Sequence, residues 1–238
     1  MRSALFSAEN LEKASGQPGM SLQNHKMLKV SLNGEVMART GAMVAYQGQV
    51  EFKALGSGGV GNFIKKRLTG EGVPLMKLTG RGEVYLADLA SNIHLIDLEP
   101  GDALSINGSS VLAFDSTLSY EIKMVSGMGM LSSAGLFNCV FTGHGRIAVT
   151  TKGDPLVLNV APNQPTYVDP QAAVCWSASL QTGFHRADQT GLGGNLIGRT
   201  TGEAFTMSFA GQGFVIVQPS EEAPVRGAGQ QSGGGMFG

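Results

Sequence analysis

One ten-residue pattern occurs three times in this chain, and the recurrence constrains the fold more than any single motif does. Aligned without gaps, the copies read VPLMKLTGRG (73–82), LFNCVFTGHG (136–145) and AFTMSFAGQG (204–213). Every second position is apolar in all three: Pro74, Phe137 and Phe205, then Met76, Cys139 and Met207, then Leu78, Phe141 and Phe209. The positions between them are mixed. A period of two with one apolar face is the pattern of a half-buried β-strand. The alternation resumes past the glycines at Val84 and Leu86, Ile147 and Val149, and Val215 and Val217. Gly80, Gly82, Gly143, Gly145, Gly211 and Gly213 are therefore read as structural turns between strands, where glycine takes φ angles that other residues resist.

A second block recurs as well. IDLEPGDALSINGSSVLAF (96–114) aligns without gaps on LNVAPNQPTYVDPQAAVCW (158–176), and VSLNGEVMARTGAMVAY (30–46) joins them after a shortening of two residues. This puts Tyr46, Phe114 and Trp176 in register, with Ala45, Ala113 and Cys175 at one small-residue position. The aromatic trio is expected in equivalent core or inter-unit positions, and Met76, Cys139 and Met207 on the apolar strand face. The boundaries fall near 28–90, 93–151 and 154–219. Each unit should hold several short strands and end in a hairpin. Short, evenly punctuated strands suggest a sandwich or barrel. One unit alone is short of core, so the three are expected to pack as a single all-β body around a pseudo-threefold axis.

Residues 1–27 form an N-terminal extension with little pattern, and 220–238, rich in Gly, Ser and Gln, read as a disordered tail. Charged residues make up 15% of the 238 and the formal net charge is -1, which argues against nucleic acid as a partner. Weak charge favours instead a surface partly hidden in a homo-oligomer or against a protein. Two cysteines are too few for a disulfide framework. No apolar run is long enough for a membrane-spanning helix or a secretory signal. A cytoplasmic protein is expected, with peripheral membrane association left open.

The most conspicuous motif is GSGGVG (56–61), which satisfies G-x-G-x-x-G and has Glu83 about 20 residues onward. The segment after it is too short before TGEG for a crossover helix. The same slot in the other units is also glycine-rich, as SGMGMLSSAG (126–135) and TGLGGNLIG (190–198). It reads as a connector, and no dinucleotide or other cofactor is called for. His25, His94, His144 and His185 share no ligand spacing, so no metal site is expected. Cys139 and Cys175 read as small core residues. Asp97, Glu99 and Asp102 read as acids of the Pro100–Gly101 turn. No catalytic residue is assigned, and the chain is expected not to be an enzyme.

ARTGAMVAYQGQVEFKA (38–54), LTGEGVPLMKLTGRGEVYLADL (68–89) and FAGQGFVIVQPSE (209–221) carry a family resemblance. On these blocks the chain resembles the altered-inheritance-of-mitochondria family, described as having a fold like the tryptophan RNA-binding attenuation protein. The resemblance implies a double-stranded β-helix or jelly-roll arrangement of the units. It carries over no catalytic residues, and the attenuation protein's tryptophan and RNA sites have no matching motif here. The leading expectation is a non-catalytic β-scaffold that self-associates or binds a protein partner. One alternative is nucleic-acid binding, with Lys65, Lys66, Arg67 and Arg81 as phosphate contacts. Another is a small-molecule pocket inside a β unit.

Overall fold

The structure, a computed structural model, describes residues 3–14, 16–55, 73–124, 137–186 and 205–220. The first region contributes β1 (Gly19–Asn24), β2 (Met27–Arg39), β3 (Met43–Ala54) and β4 (Leu75–Leu86). The second contributes β5 (Asn92–Leu98), β6 (Ala103–Asn107), β7 (Val111–Asp115), β8 (Ser119–Met124), β9 (Phe137–Thr142) and β10 (Gly145–Thr151). The last holds β11 (Leu156–Val160), β12 (Thr166–Val168), β13 (Ala173–Ser177), β14 (Gln181–Arg186), β15 (Phe205–Ala210) and β16 (Gly213–Val217). Two short 3₁₀ turns, Ala4–Phe6 and Gly108–Ser110, complete the described elements.

These strands make three sheets. The largest runs β3-β4-β2-β7-β10-β5, with β1 laid against β2. The second runs β11-β16-β13-β6-β9-β8, and the third is β12-β15-β14. Neighbouring strands pair antiparallel throughout. The chain is all-β, as the alternation predicts.

The Gly-x-Gly sites do not close hairpins. β9 pairs with β6 and β8, whereas β10 pairs with β5 and β7 in a different sheet. Gly143 therefore marks a bend where one strand path leaves the second sheet and enters the first. Its φ of 107° is one that a side chain resists. Gly211 and Gly213 mark the matching passage from β15 to β16, out of the third sheet and into the second. Gly80 and Gly82 correct the expectation further, because they lie inside β4, which pairs without a break with β2 from Arg39 to Leu28. There Gly80 lies opposite Gly34, and Gly82 opposite Gly48. A patch of glycines spread over three strands lets the sheet coil without losing its ladder. The sequence signal was Gly34 and Gly48, which the ten-residue pattern does not contain.

Burial follows the passages between sheets. Phe114, Phe141, Ile147, Ile106, Cys139 and Cys175 form one core between the first and second sheets. Trp176, Val215, Met207 and Phe209 form another between the second and third. A third gathers Leu28, Val30, Leu78, Val84 and Leu86 with Leu112 and Ala148 where the first sheet curls over itself. In β7 the residues Val111, Leu112, Ala113 and Phe114 are all buried, as are Ala173, Val174, Cys175 and Trp176 in β13. Both faces of these strands are covered, so their sequence is a continuous apolar run.

The aromatic trio divides. Phe114 is 0% and Trp176 4% exposed, while Tyr46 is 49% exposed. Tyr46 is therefore not a core residue: β3 pairs only with β4 among the described residues, and nothing described covers its outer side. It packs edge-on against Phe52, ring centroids 5.2 Å apart. The three aligned aromatics therefore do not share one environment.

Candidate functional site

A groove with a volume of about 630 Å³ is lined mainly by loop residues. His25 and Lys26 come from the β1–β2 turn, Leu89, Ala90 and Ser91 from the β4–β5 connection with Asn92 at the start of β5, and Lys152, Gly153 and Asp154 from the β10–β11 connection. Polar sequence at strand ends produces these loops, and hydrogen bonds tie them together. Lys26 Nζ donates to the Ala90 carbonyl at 2.9 Å, and Asn92 Nδ2 to Asp154 Oδ1 at 3.0 Å. The Ile93 amide donates to the His25 carbonyl at 2.7 Å.

The β4–β5 connection beside the groove carries backbone strain. Leu89 and Ala90 have φ of 46° and 57°, the left-handed region that favours glycine, in a turn closed by the Ser91 amide on the Asp88 carbonyl at 2.8 Å. Arg39 holds that turn through Asp88 at 2.7 Å while also donating to the carbonyls of Val111 and Ser109. Leu89 itself is 90% exposed, a large apolar side chain on the rim.

Beside the groove, Thr151 Oγ1 donates to the Gly153 carbonyl at 2.7 Å and lies 2.9 Å from His94 Nε2. One hydroxyl has one proton to give, so His94 is the donor in that contact. Burial holds the His94 imidazole below its ordinary pKa, against the smaller pull of Asp154. His94 thus anchors a strand as a neutral ring. Lys26 and Asp154 at this groove hold loops.

A second polar cluster fastens the N-terminal segment. Lys29 is only 1% exposed. Its ammonium donates to the Lys13 carbonyl at 2.5 Å and to Glu12 Oε1 at 3.1 Å, with Glu83 Oε2 at 3.6 Å. The Tyr85 hydroxyl and Lys29 together hold the Glu12 carboxyl below its usual range. Gln23 of β1 adds two bonds, accepting from the Lys13 amide at 3.0 Å and donating to the Leu11 carbonyl at 2.8 Å. The weakly patterned N-terminal segment is thus docked at residues 11–13, and β1 extends the first sheet.

Other residues singled out from the sequence fall in separate places. Cys139 and Cys175 are fully buried, and burial pushes both thiols up to about 12. His144 is exposed at the β9–β10 bend. His185 meets Ser208 Oγ at 2.9 Å on the third sheet. Asp102 and Glu99 cap their turn, with the Glu99 amide on Asp102 Oδ2 at 3.0 Å. Asp97 departs from the turn reading. It lies directly across from Arg146 on β10 and accepts from both Nε and Nη2 at 2.6 and 2.9 Å, which holds its carboxyl below the usual range. The residue that explains Asp97 is 49 positions away, out of reach of local pattern. Arg81 is exposed on β4, whereas Lys65, Lys66 and Arg67 lie outside the described residues, as do the glycine connectors at 56–61, 126–135 and 190–198. Among the described residues no group of three or more His, Cys, Asp or Glu is placed to hold a metal, and no helix is long and apolar enough to cross a membrane.

Exposed apolar residues concentrate instead on strands. Met43, Val44 and Tyr46 of β3 are 40%, 55% and 49% exposed, Tyr167 of β12 is 59%, and Leu156 and Val157 of β11 are 57% and 56%.

The fold and its surfaces define an antiparallel all-β protein with exposed apolar side chains on β3, β11 and β12 as well as in loops. The chain belongs to the mitochondrial biogenesis AIM24 family, whose sequence profile matches residues 20–220. Its fold is similar to that in the X-ray crystal structure of a Streptococcus pyogenes protein, with a TM-score of 0.65 at 20% identity, covering 86% of this chain and 94% of that one. No curated protein matches the chain.

Proposed function

We propose that this protein is a non-catalytic β-scaffold, built from three copies of one module around a pseudo-threefold axis, that associates with itself or with a protein partner. The observation carrying the proposal is the row of exposed apolar residues Met43, Val44 and Tyr46 on β3, where the aligned residues of β7 and β13 are buried. The modular reading is supported by strand order. In each third of the chain the last strand path lies between the first and second ones: β4 between β2 and β3, β9–β10 between β5–β6 and β7–β8, and β15–β16 between β11–β12 and β13–β14.

Light scattering over a range of concentrations tests the proposal. An average mass rising with concentration, or a stable complex with a protein from native extract, is the expected result. A strictly monomeric chain that retains no partner would count against it.

A second reading is favoured by the loop groove, whose volume of about 630 Å³ lies within the range of small-molecule sites. Its lining mixes polar and charged side chains with Leu89 and Ala90, which suits a small ligand carrying both polar and apolar groups. A thermal-shift screen of such compounds tests this reading, and no stabilisation by any of them overturns it.

A further inference from the structure

Next to the loop groove lies a small recess, and the two share Ser91 and Lys152. The recess has room of about 10 Å³, close to what one water-sized group needs. Its walls are polar and closed in: Ser91, Ser110, Thr150 and Thr151 are 6%, 5%, 4% and 1% exposed. A buried hydroxyl without a partner is costly, so the bonds of each wall residue can be traced in turn.

Most of the walls are satisfied from within. Thr151 Oγ1 donates to the Gly153 carbonyl, and Thr150 Oγ1 donates to the Ser110 carbonyl at 3.4 Å. Gln218 accepts from the Lys152 amide at 2.9 Å and donates to the Gln171 carbonyl at 3.2 Å. The Ser91 and Ser110 hydroxyls differ. Neither bonds a described residue, and neither oxygen is sealed off as that of Thr40 is, so both open on the recess.

The strained backbone nearby has a role in this arrangement. Closing the turn at Leu89 and Ala90 brings Asp88 beside Ser91, with the Ser91 amide on the Asp88 carbonyl. Arg39 then clamps Asp88 together with the Ser109 carbonyl, one residue before Ser110. Two separate walls of the recess are thus fixed by one guanidinium, and strain of this kind collects at binding sites.

Size and charge narrow what the recess can take. A carboxylate or phosphate is too large for it and is opposed by Asp88. An ammonium is opposed by Arg39, 2.7 Å from that carboxylate. A methyl group would leave both serine hydroxyls unpaired. A hydroxyl is small and neutral, and it both donates and accepts, as its two serine partners do. Outside the recess, the groove sets Leu89 and Ala90 beside Lys26, Asn92 and Asp154, which matches the mixed C–H and O–H surface of a polyol.

We infer that the groove binds a small neutral polyhydroxylated molecule, a polyol or sugar, with one hydroxyl seated in the recess against Ser91 and Ser110. The inference rests on the small-molecule reading of the groove and names the chemistry of its ligand.

Polyols raise melting temperatures generally, through exclusion from protein surfaces, so the test must read local binding. Amide chemical shifts of isotope-labelled protein are followed during titration with glycerol, glucose and myo-inositol, and with succinate and glycine betaine as hydroxyl-free controls. At least one polyol should give saturable shifts at Ser91 and Ser110, and Ser91→Ala and Ser110→Ala should each weaken its binding at least tenfold. Because these hydroxyls bond no described residue, both variants should keep the wild-type melting temperature. Polyol binding that neither variant weakens would overturn the inference. Saturable binding of a control in the groove, with none by the polyols, would also overturn it while leaving the small-molecule reading intact. Lowered melting temperatures in both variants, with no polyol shift, would assign the recess to a structural water only. If no polyol or control shifts any amide and the wider thermal-shift screen is blank, both readings fall.

Discussion

A Cβ placed on Gly80 would stand 2.1 Å from the carbonyl oxygen of Gln49 on the neighbouring strand. At Gly82 it would stand 2.0 Å from the Gln47 carbonyl oxygen. In both cases the obstacle is backbone that is locked in a ladder and has no room to yield.

Gly80→Ala and Gly82→Ala should therefore each destabilise the fold by about 3 kcal/mol or more, combining a steric clash with a positive φ. Gly34→Ala is the control: its φ is 130° but nothing lies within 4 Å of the added carbon, so it should cost only about 1–2 kcal/mol. Urea denaturation of the three variants measures the difference. Equal losses at all three would mean that φ alone matters.

The three aligned aromatics should separate by environment. Phe114→Ala and Trp176→Ala should each cost about 3–5 kcal/mol, as large buried rings do. Phe114 meets Phe141 edge-on at 4.9 Å, and Trp176 meets Phe209 at 5.4 Å, so each truncation also removes an aromatic contact. Tyr46→Ala should cost under about 1 kcal/mol in the dilute protein. Denaturant midpoints at low concentration provide the comparison.

The Asp88–Ser91 turn should be improvable. Ala90→Gly, or Leu89→Asn with Ala90→Gly, supplies residues that take a positive φ readily and should raise stability by about 1 kcal/mol. Calorimetry would show the higher melting temperature. A fall would mean that the Leu89 side chain or the strain itself is needed for folding.

Docking of residues 11–13 should depend on pH. The Glu12 carboxyl is held below its ordinary value by the Tyr85 hydroxyl and Lys29. A depressed carboxyl contributes fully above its unfolded pKa, and the contribution is lost as pH falls through the folded one. The protection of amides in this segment, relative to the intrinsic exchange rate at each pH, should therefore be high at pH 7 and lower near pH 3, and Glu12→Gln should lower it already at pH 7. Lys29→Met should free the segment and also cost the body stability, since it leaves the mostly buried Glu83 carboxylate without its counter-charge.

Both thiols should resist modification. With Cys139 and Cys175 buried and raised to about 12, native protein at pH 8 should react negligibly with a maleimide, and denatured protein should take up two labels. Rapid labelling of either cysteine in native protein would show local opening of the core around β9 or β13.

Much of the strand content was legible in sequence because alternation is a local property. Met76, Cys139 and Met207 lie on the apolar face that period two assigns them, and all three are buried. What the Gly-x-Gly sites do was not legible. The same pair marks a passage between sheets at Gly143 and Gly145 and an unbroken strand at Gly80 and Gly82. The difference lies in what the flanking strands pair with, and a partner tens of residues away leaves no mark at the glycine. The docking of Glu12 on Lys29 was hidden for the same reason, as was the cross-strand pairing of Asp97 with Arg146.

The amino-acid order by itself determined the β class, the spacing of strands and which side chains seek an apolar face. These follow from steric preferences and hydrophobic periodicity acting over a few residues. The tertiary structure alone decided which of three matching strands is covered. Phe114 and Trp176 are enclosed in strands flanked on both sides, and Tyr46 is open on a strand that among the described residues is flanked by β4 alone. Burial is a relation between distant segments, so identical local pattern leaves it undetermined.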